Sequence, residues 1–294
     1  MFYSPLRYPG GKGKIVPLID LILQRIETKV STYIEPFAGG AEVAVSLLLD
    51  GKVDEIVIND KDVAIYSFWR SILQETDWFL EKLARTSITM DERFKQKAIC
   101  SAGKKYSPEL GFAAFFLNRC NRSGIIAKAG PIGGYNQSGN WKLSARFNKE
   151  ELTKRIKTIA EKRQHIRVYN QDIFVFIEKY IPRFSENSFV YFDPPYYNKG
   201  KILYHNALVH QDHELLAQKI GSCVTCPWII TYDNSPEIVA MYKNFFSKPF
   251  QIGYSLAEHR IGTEIMIFKD RSYMPSKKML GDRGRSFFWW EPPT

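Results

Sequence analysis

Asp193-Pro194-Pro195-Tyr196 closes a β-prone run, Phe189-Val190-Tyr191-Phe192. Two prolines cannot continue a sheet ladder, so they fix an exposed turn at the end of a strand. Neither proline has an N–H, so the turn presents carbonyls. The Asp193 carboxylate and the Pro194 carbonyl are then both placed to accept from one –NH2 group. An aromatic ring follows at once, positioned to stack on a planar base. This is a pocket for an exocyclic amine on a nucleobase, with Asp193, Pro194, Pro195 and Tyr196 as the catalytic candidates. The plainer reading is a rigid turn with a solvated Asp.

A second feature weighs against that plainer reading. Glu35-Pro36-Phe37-Ala38-Gly39-Gly40-Ala41 sits between a strand and an apolar, helix-prone run. Glycines there let a ligand approach the backbone, and open α/β sheets bind ligands at the carboxyl ends of strands. Asp60 ends the next strand, where it can accept hydrogen bonds from a ribose. The spacing is not Gly-x-Gly-x-x-Gly, so a nucleoside without phosphates fits better than a dinucleotide. Other motifs are weaker. Cys223-x-x-Cys226 has no second pair and reads as structural thiols, and His210-Gln211-Asp212-His213 reads as a helix start. No metal site is expected, and no Gly-x-Ser-x-Gly hydrolase motif occurs.

The elements that must hold these residues follow from periodicity. Residues 30–37 read as a strand, 41–49 as a helix and 55–58 as a strand, which is a βαβ unit. Residues 166–169, 188–192, 227–232 and 263–268 read as further strands, with a helix over 211–220. The expected fold is α/β: a doubly wound Rossmann-like sheet from residues 1–60 and 165–268. Residues 61–164 interrupt it as an inserted, mainly helical or hairpin recognition domain. Within the insert, 121–148 is rich in Gly, Asn and Ser and reads as loops or a hairpin. Residues 269–294 read as a basic tail, with Phe287, Phe288, Trp289 and Trp290 as a docking strip.

Charge points to a partner. The chain has 294 residues, 45% of them hydrophobic and 24% charged, as in a soluble globular protein, and a net charge of +10. Residues 101–167 hold 14 Lys and Arg against 4 Asp and Glu, so this stretch alone accounts for the whole excess. From Leu110 to Lys149 there is no acidic residue. A polyanion docked there is the natural expectation, and a solvated basic face is the alternative. The candidate nucleic-acid contacts are Arg119, Asn121, Arg122, Ser123, Lys128, Tyr135, Asn136, Lys142 and Arg146. No apolar run reaches the ~18 residues of a membrane span, and no secretory leader is visible. Four cysteines are too few for a disulfide scaffold. A cytoplasmic protein without membrane contact is expected.

Taken together, these motifs resemble those of the S-adenosylmethionine-dependent DNA N6-adenine methyltransferases of the Dam type, in the alpha-group order. RYPGGK at 7–12 resembles the N-terminal cofactor motif and EPFAGGAEVA at 35–44 the glycine-containing one. LNRCNRSG at 117–124 and RFN at 146–148 resemble the region before the catalytic half. NQD at 170–172, DPPY at 193–196 and TEIMIF at 263–268 resemble the adenine-side acid, the catalytic motif and the closing hairpin. The likeness spans about residues 4–268. One departure sets the chain apart from GATC readers: Gly130-Pro131-Ile132-Gly133-Gly134 replaces their Phe-Asn-x-Pro-Phe-Gly.

The resemblance implies S-adenosyl-L-methionine as cofactor, held by Tyr8, Lys12, Glu35, Phe37, Gly39, Gly40, Asp60, Asp172, Ile173 and Asp193. It implies double-stranded DNA as the partner and a flipped adenine as the target. A cognate restriction endonuclease and a monomeric state in solution are further expectations. Cytosine N4, an adenine in RNA, and a catalytically inactive DNA-binding relative are the alternatives.

Overall fold

The computed structural model describes residues 3–7, 12–184, 187–198, 208–253, 261–280 and 287–289. The strands are β1 (Thr32–Glu35), β2 (Glu55–Asn59), β3 (Ile166–Tyr169), β4 (Ser188–Phe192), β5 (Trp228–Asp233), β6 (Phe246–Gly253), β7 (Ile261–Phe268) and β8 (Phe287–Trp289). Among the described residues they form one eight-stranded sheet, in the order β3-β2-β1-β4-β5-β7-β6-β8. The first five are parallel, and β7 runs antiparallel between β5 and β6. The winding reverses between β1 and β4. The connections leave these two neighbours in opposite directions, so a crevice opens at their carboxyl ends. This is the expected doubly wound, Rossmann-like α/β architecture.

Side chains alternate across the sheet with period two. Tyr33, Ile56, Ile58, Phe189, Tyr191, Ile229, Met266 and Phe268 belong to one core. Ile34, Val57, Val190, Phe192, Ile230, Ile265 and Ile267 belong to the other. Burial on both faces explains why the central strands read as nearly unbroken apolar runs.

The helices divide accordingly. Over the first face lie α1 (Val16–Leu23), α2 (Glu42–Leu49), α3 (Val63–Gln74), α4 (Thr76–Arg85), α6 (Pro108–Cys120) and α7 (Lys149–Glu161), while α5 (Met90–Ala102) packs on α6. The second face is covered by α8 (Ile173–Val175), continued by a π turn over Phe176–Tyr180, by α9 (His210–Cys223) and by α10 (Pro236–Met241). Phe68, Trp69, Phe112, Phe115, Leu152 and Ile156 share the first core with the strands, so the apolar interior runs unbroken into residues 61–164.

Three local outcomes differ from the pattern reading or refine it. Within the insert, the helical path from Val63 to Arg85 is broken at Glu75, whose φ of −120° leaves the helical region, giving α3 and α4. Residues 121–148 are loop: 3-10 turns and one isolated bridge, Asn121 to Pro131, with no strand pair. Gln137 pins this loop, its amide donating to the Ile132 and Gly134 carbonyls while its oxygen accepts from the Leu143 N–H. At the chain's end, β8 adds to β6, and Trp289 enters the core at 8% exposure, donating its indole N–H to the Pro275 carbonyl at 3.1 Å. A strip expected to dock elsewhere therefore supplies a sheet edge and a core side chain.

Candidate active site

Each parallel strand ends in an acid or runs to one just beyond: Glu35 on β1, Asp60 after β2, Asp172 after β3, Asp193 after β4 and Asp233 on β5. The sheet thus gathers five carboxyl groups along the crevice. Such a row suits ligands rich in N–H and O–H donors, or cationic ones.

The glycine turn after β1 is built by Asp60. Its Oδ2 accepts the Gly39 N–H at 2.9 Å and its Oδ1 accepts the Asp62 N–H at 2.8 Å. Gly39 has φ of +47°, a conformation that costs glycine little. Ala41 enters the left-handed region at φ +44°, and α2 starts directly after it. The Gly39 carbonyl accepts from the Trp69 indole at 2.9 Å, so α3 braces the turn from above. Gly39 and Gly40 are buried, and Phe37 packs on the second core. Burial pushes the Asp60 carboxyl up to about 7, the charge of Asp62 adds to the rise, and the two amide hydrogen bonds oppose it.

Glu35 lies deeper, at 5% exposure, and accepts from the Tyr33 hydroxyl and the Ala44 N–H, both at 3.2 Å. Burial pushes its carboxyl up to about 8; the Tyr33 hydrogen bond opposes this and the charge of Asp193 adds to it. Asp172 caps α8 by accepting the Phe174 N–H at 3.0 Å, and it pairs with Lys61 at 2.8 Å. Burial alone would raise its carboxyl, but Lys61 and the capping amides outweigh that and hold it below the usual range. Ile173, next to it, is buried in the second core. Tyr8 and the Lys12 side chain lie outside the described residues.

Across the switch point stands the Asp193 turn. Pro194 is buried, while Asp193, Pro195 and Tyr196 are half-buried. Thr231 donates to Asp193 Oδ1 at 3.0 Å. Tyr196 donates its phenol to Glu264 Oε1 at 2.6 Å, and Glu264 is only 3% exposed. The next two residues are gripped by Asp233, which accepts the Tyr197 N–H at 2.7 Å and the Asn198 N–H at 2.9 Å. Trp69, Thr231, Asp233 and Glu264 were not among the sequence candidates for this site. Signals existed: a threonine following the apolar run Trp228-Ile229-Ile230, an acid in a β-prone run at Glu264, and a strand-ending acid at Asp233.

The basic candidates separate into two groups. Arg122, Ser123, Lys128, Asn136, Lys142 and Arg146 are exposed, as is Tyr135, whose ring stacks on Phe94 at 6.5 Å. Arg119 is half-buried, its guanidinium on the Arg146 carbonyl at 2.6 Å. Burial pushes it down to about 10, with Arg7, Arg155 and Arg146 contributing. Asn121 must be corrected: it is 0% exposed. Its oxygen accepts from Arg93 at 2.9 Å and its amide donates to the Ile125 and Ile126 carbonyls, so it staples the loop and cannot read a base from there.

The glycine turn held by Asp60 and the Asp-Pro-Pro-Tyr turn thus end neighbouring strands of one Rossmann-like sheet. The chain belongs to the D12 class N6 adenine-specific DNA methyltransferases, whose pattern matches residues 8–254. The family uses S-adenosylmethionine. The chain is 25% identical over 205 residues to the type II methyltransferase M.MjaIII of Methanocaldococcus jannaschii, covering 65% of this chain and 68% of that protein. It is similar to the rRNA methyltransferase AviRa of Streptomyces viridochromogenes, at 15% identity and a TM-score of 0.39, over 89% of this chain and 85% of the other. It is also similar to a class I S-adenosylmethionine-dependent methyltransferase of Listeria monocytogenes, at 11% identity and a TM-score of 0.38, over 90% and 62%. Among the described residues no helix is long and apolar enough to cross a membrane.

Proposed function

We propose that this chain transfers a methyl group from S-adenosylmethionine to N6 of an adenine turned out of duplex DNA, at a specific sequence. The observation that carries the reading is the adjacency of β1 and β4: the glycine turn and the Asp193 turn face one crevice. The acceptors present fit the cofactor. Asp60 suits a ribose diol, Asp172 an adenine amine, and the row of carboxyl groups a sulfonium cation.

The cofactor supplies an electrophilic methyl on sulfur. The protein's part is to bring the amine to it. A stacked, paired adenine hides its N6, so the base must leave the helix. Asp193 and the Pro194 carbonyl accept from the amine and direct its lone pair toward the methyl. Tyr196 stacks on the base. The rate comes from positioning and from stabilising the positive charge that grows on nitrogen. Arg122, Lys128, Lys142 and Arg146 meet backbone phosphates. Action in the cytoplasm as a monomer, beside a restriction endonuclease that reads the same sequence, completes the proposal.

The test is transfer of tritiated methyl groups to unmethylated duplex DNA, followed by nucleoside analysis. N6-methyladenine is the expected product. N4-methylcytosine, methylated RNA, or DNA binding without transfer would each install one of the alternatives instead.

A further inference from the structure

We propose that Thr231 is a positioning residue for methyl transfer, its hydroxyl fixing the plane in which the Asp193 carboxylate meets the target amine. The inference rests on the proposed function and deepens it. An aspartate that ends a strand is ordinarily steadied by N–H groups one or two residues onward. Here those positions are Pro194 and Pro195, which have none. Those two residues therefore offer the Asp193 side chain no N–H, and a donor reaching it from a neighbouring strand gains weight.

The sheet provides it. The β4–β5 register pairs Phe192 with Ile230, and one step further sets Asp193 beside Thr231. Both residues fall on the face that carries Tyr191 and Ile229. Thr231 is 0% exposed, among apolar strand neighbours, where a hydroxyl is costly unless it is bonded. Its bond to Asp193 Oδ1 is 3.0 Å long. Thr231 donates in that bond, so its single proton points at Asp193. The 2.9 Å contact between Tyr191 and Thr231 then has one polarity: the Tyr191 phenol donates and Thr231 accepts. A directed chain, Tyr191 to Thr231 to Asp193, runs from the buried sheet to the reacting amine.

Single-turnover methylation of duplex DNA by Thr231→Val, Thr231→Ser and Tyr191→Phe tests this. Valine keeps the shape and the β-branch but removes the donor. The transfer rate should fall about tenfold or more, while the dissociation constants for S-adenosylmethionine and for duplex DNA stay unchanged. Serine restores the hydroxyl and should restore most of the rate. Tyr191→Phe should give a smaller loss. A wild-type rate in Thr231→Val overturns the inference, as do equal losses in the Val and Ser variants, which would assign the residue to packing. If Thr231→Val does not fold, an unchanged rate in Tyr191→Phe overturns the chain. Wild-type protein that methylates no DNA overturns the functional reading and this inference together.

Discussion

The Tyr196 phenol donates to the Glu264 carboxylate at 2.6 Å, joining the residue after the double proline to an antiparallel strand 68 positions away. Sequence alone assigns Tyr196 only a stacking ring, which phenylalanine would preserve. The bond changes that expectation. Tyr196→Phe deprives a carboxylate at 3% exposure of this donor, at a cost of ~1–3 kcal/mol. The melting temperature should drop by several degrees and transfer should slow, because the ring loses its tether. Glu264→Gln, which can still accept, should be milder in both measurements. Equal melting of wild type and Tyr196→Phe would deny the tether any weight.

Asp193→Ala should lower the transfer rate by at least ~100-fold, since one interaction specific to the transition state is worth about 2.7–4 kcal/mol. Duplex affinity should survive, because phosphate contacts supply most of it. Single-turnover kinetics beside a binding titration separates the two quantities. Transfer near the wild-type rate would remove Asp193 from the chemistry.

Cofactor affinity should depend on pH through Asp60. Its folded value of about 7 lies above that of an ordinary aspartate, and ribose hydroxyls donate best to the charged form. Affinity should rise as pH climbs through about 7, with proton release on binding. Calorimetry in two buffers of different ionisation enthalpy measures that release, and Asp60→Asn should abolish it. The stability of the unliganded protein runs the other way. Asp60 and Glu35 are both raised by burial, so their contribution is fully present below the ordinary carboxylate range. It is lost as pH rises through about 7 and about 8. Thermal melts across that window should show the decline.

Neutralising the exposed Arg122 and Lys128 should weaken duplex binding and flatten its salt slope by up to ~0.9 for every phosphate that no longer meets a cation. Asn121→Ala should behave differently. It removes three hydrogen bonds from a buried staple, costing ~1–3 kcal/mol of stability. A folded Asn121→Ala protein should keep the wild-type salt slope. Salt titrations of both variants decide between a reading and a bracing role.

What the sequence made legible was local. Phe189 to Phe192 followed by Asp193-Pro194-Pro195 marks a strand and its stop within seven residues, and the glycine turn after Glu35 does the same. Partners set by register were not legible. Thr231, Asp233 and Glu264 meet the 193–198 turn only because β5 and β7 follow β4 in that order across the sheet. The α5 helix escaped notice because Arg93 and Gln96 form part of its buried face, each 1% exposed, which inverts the usual apolar stripe. Pro249 and Lys248 disguised β6 in the same way. Asn121 has the right type to meet a base, but burial decided its role.

During synthesis, the winding reversal sets a waiting time. β1 pairs on one side with β2, made soon after it, and on the other with β4, made roughly 150 residues later. At ~5–20 residues per second, the backbone edge of Tyr33 and Ile34 stays open for on the order of 10–30 s. Ile34 and Val57 also await the second-face helices, all encoded after residue 170. The nascent chain therefore carries an adhesive strand edge and a bare apolar sheet face for most of its time on the ribosome. Expression at lower temperature, or with a chaperone that shields strand edges, should raise the soluble yield of full-length protein. The same edge makes fragments truncated before Ser188 prone to aggregate.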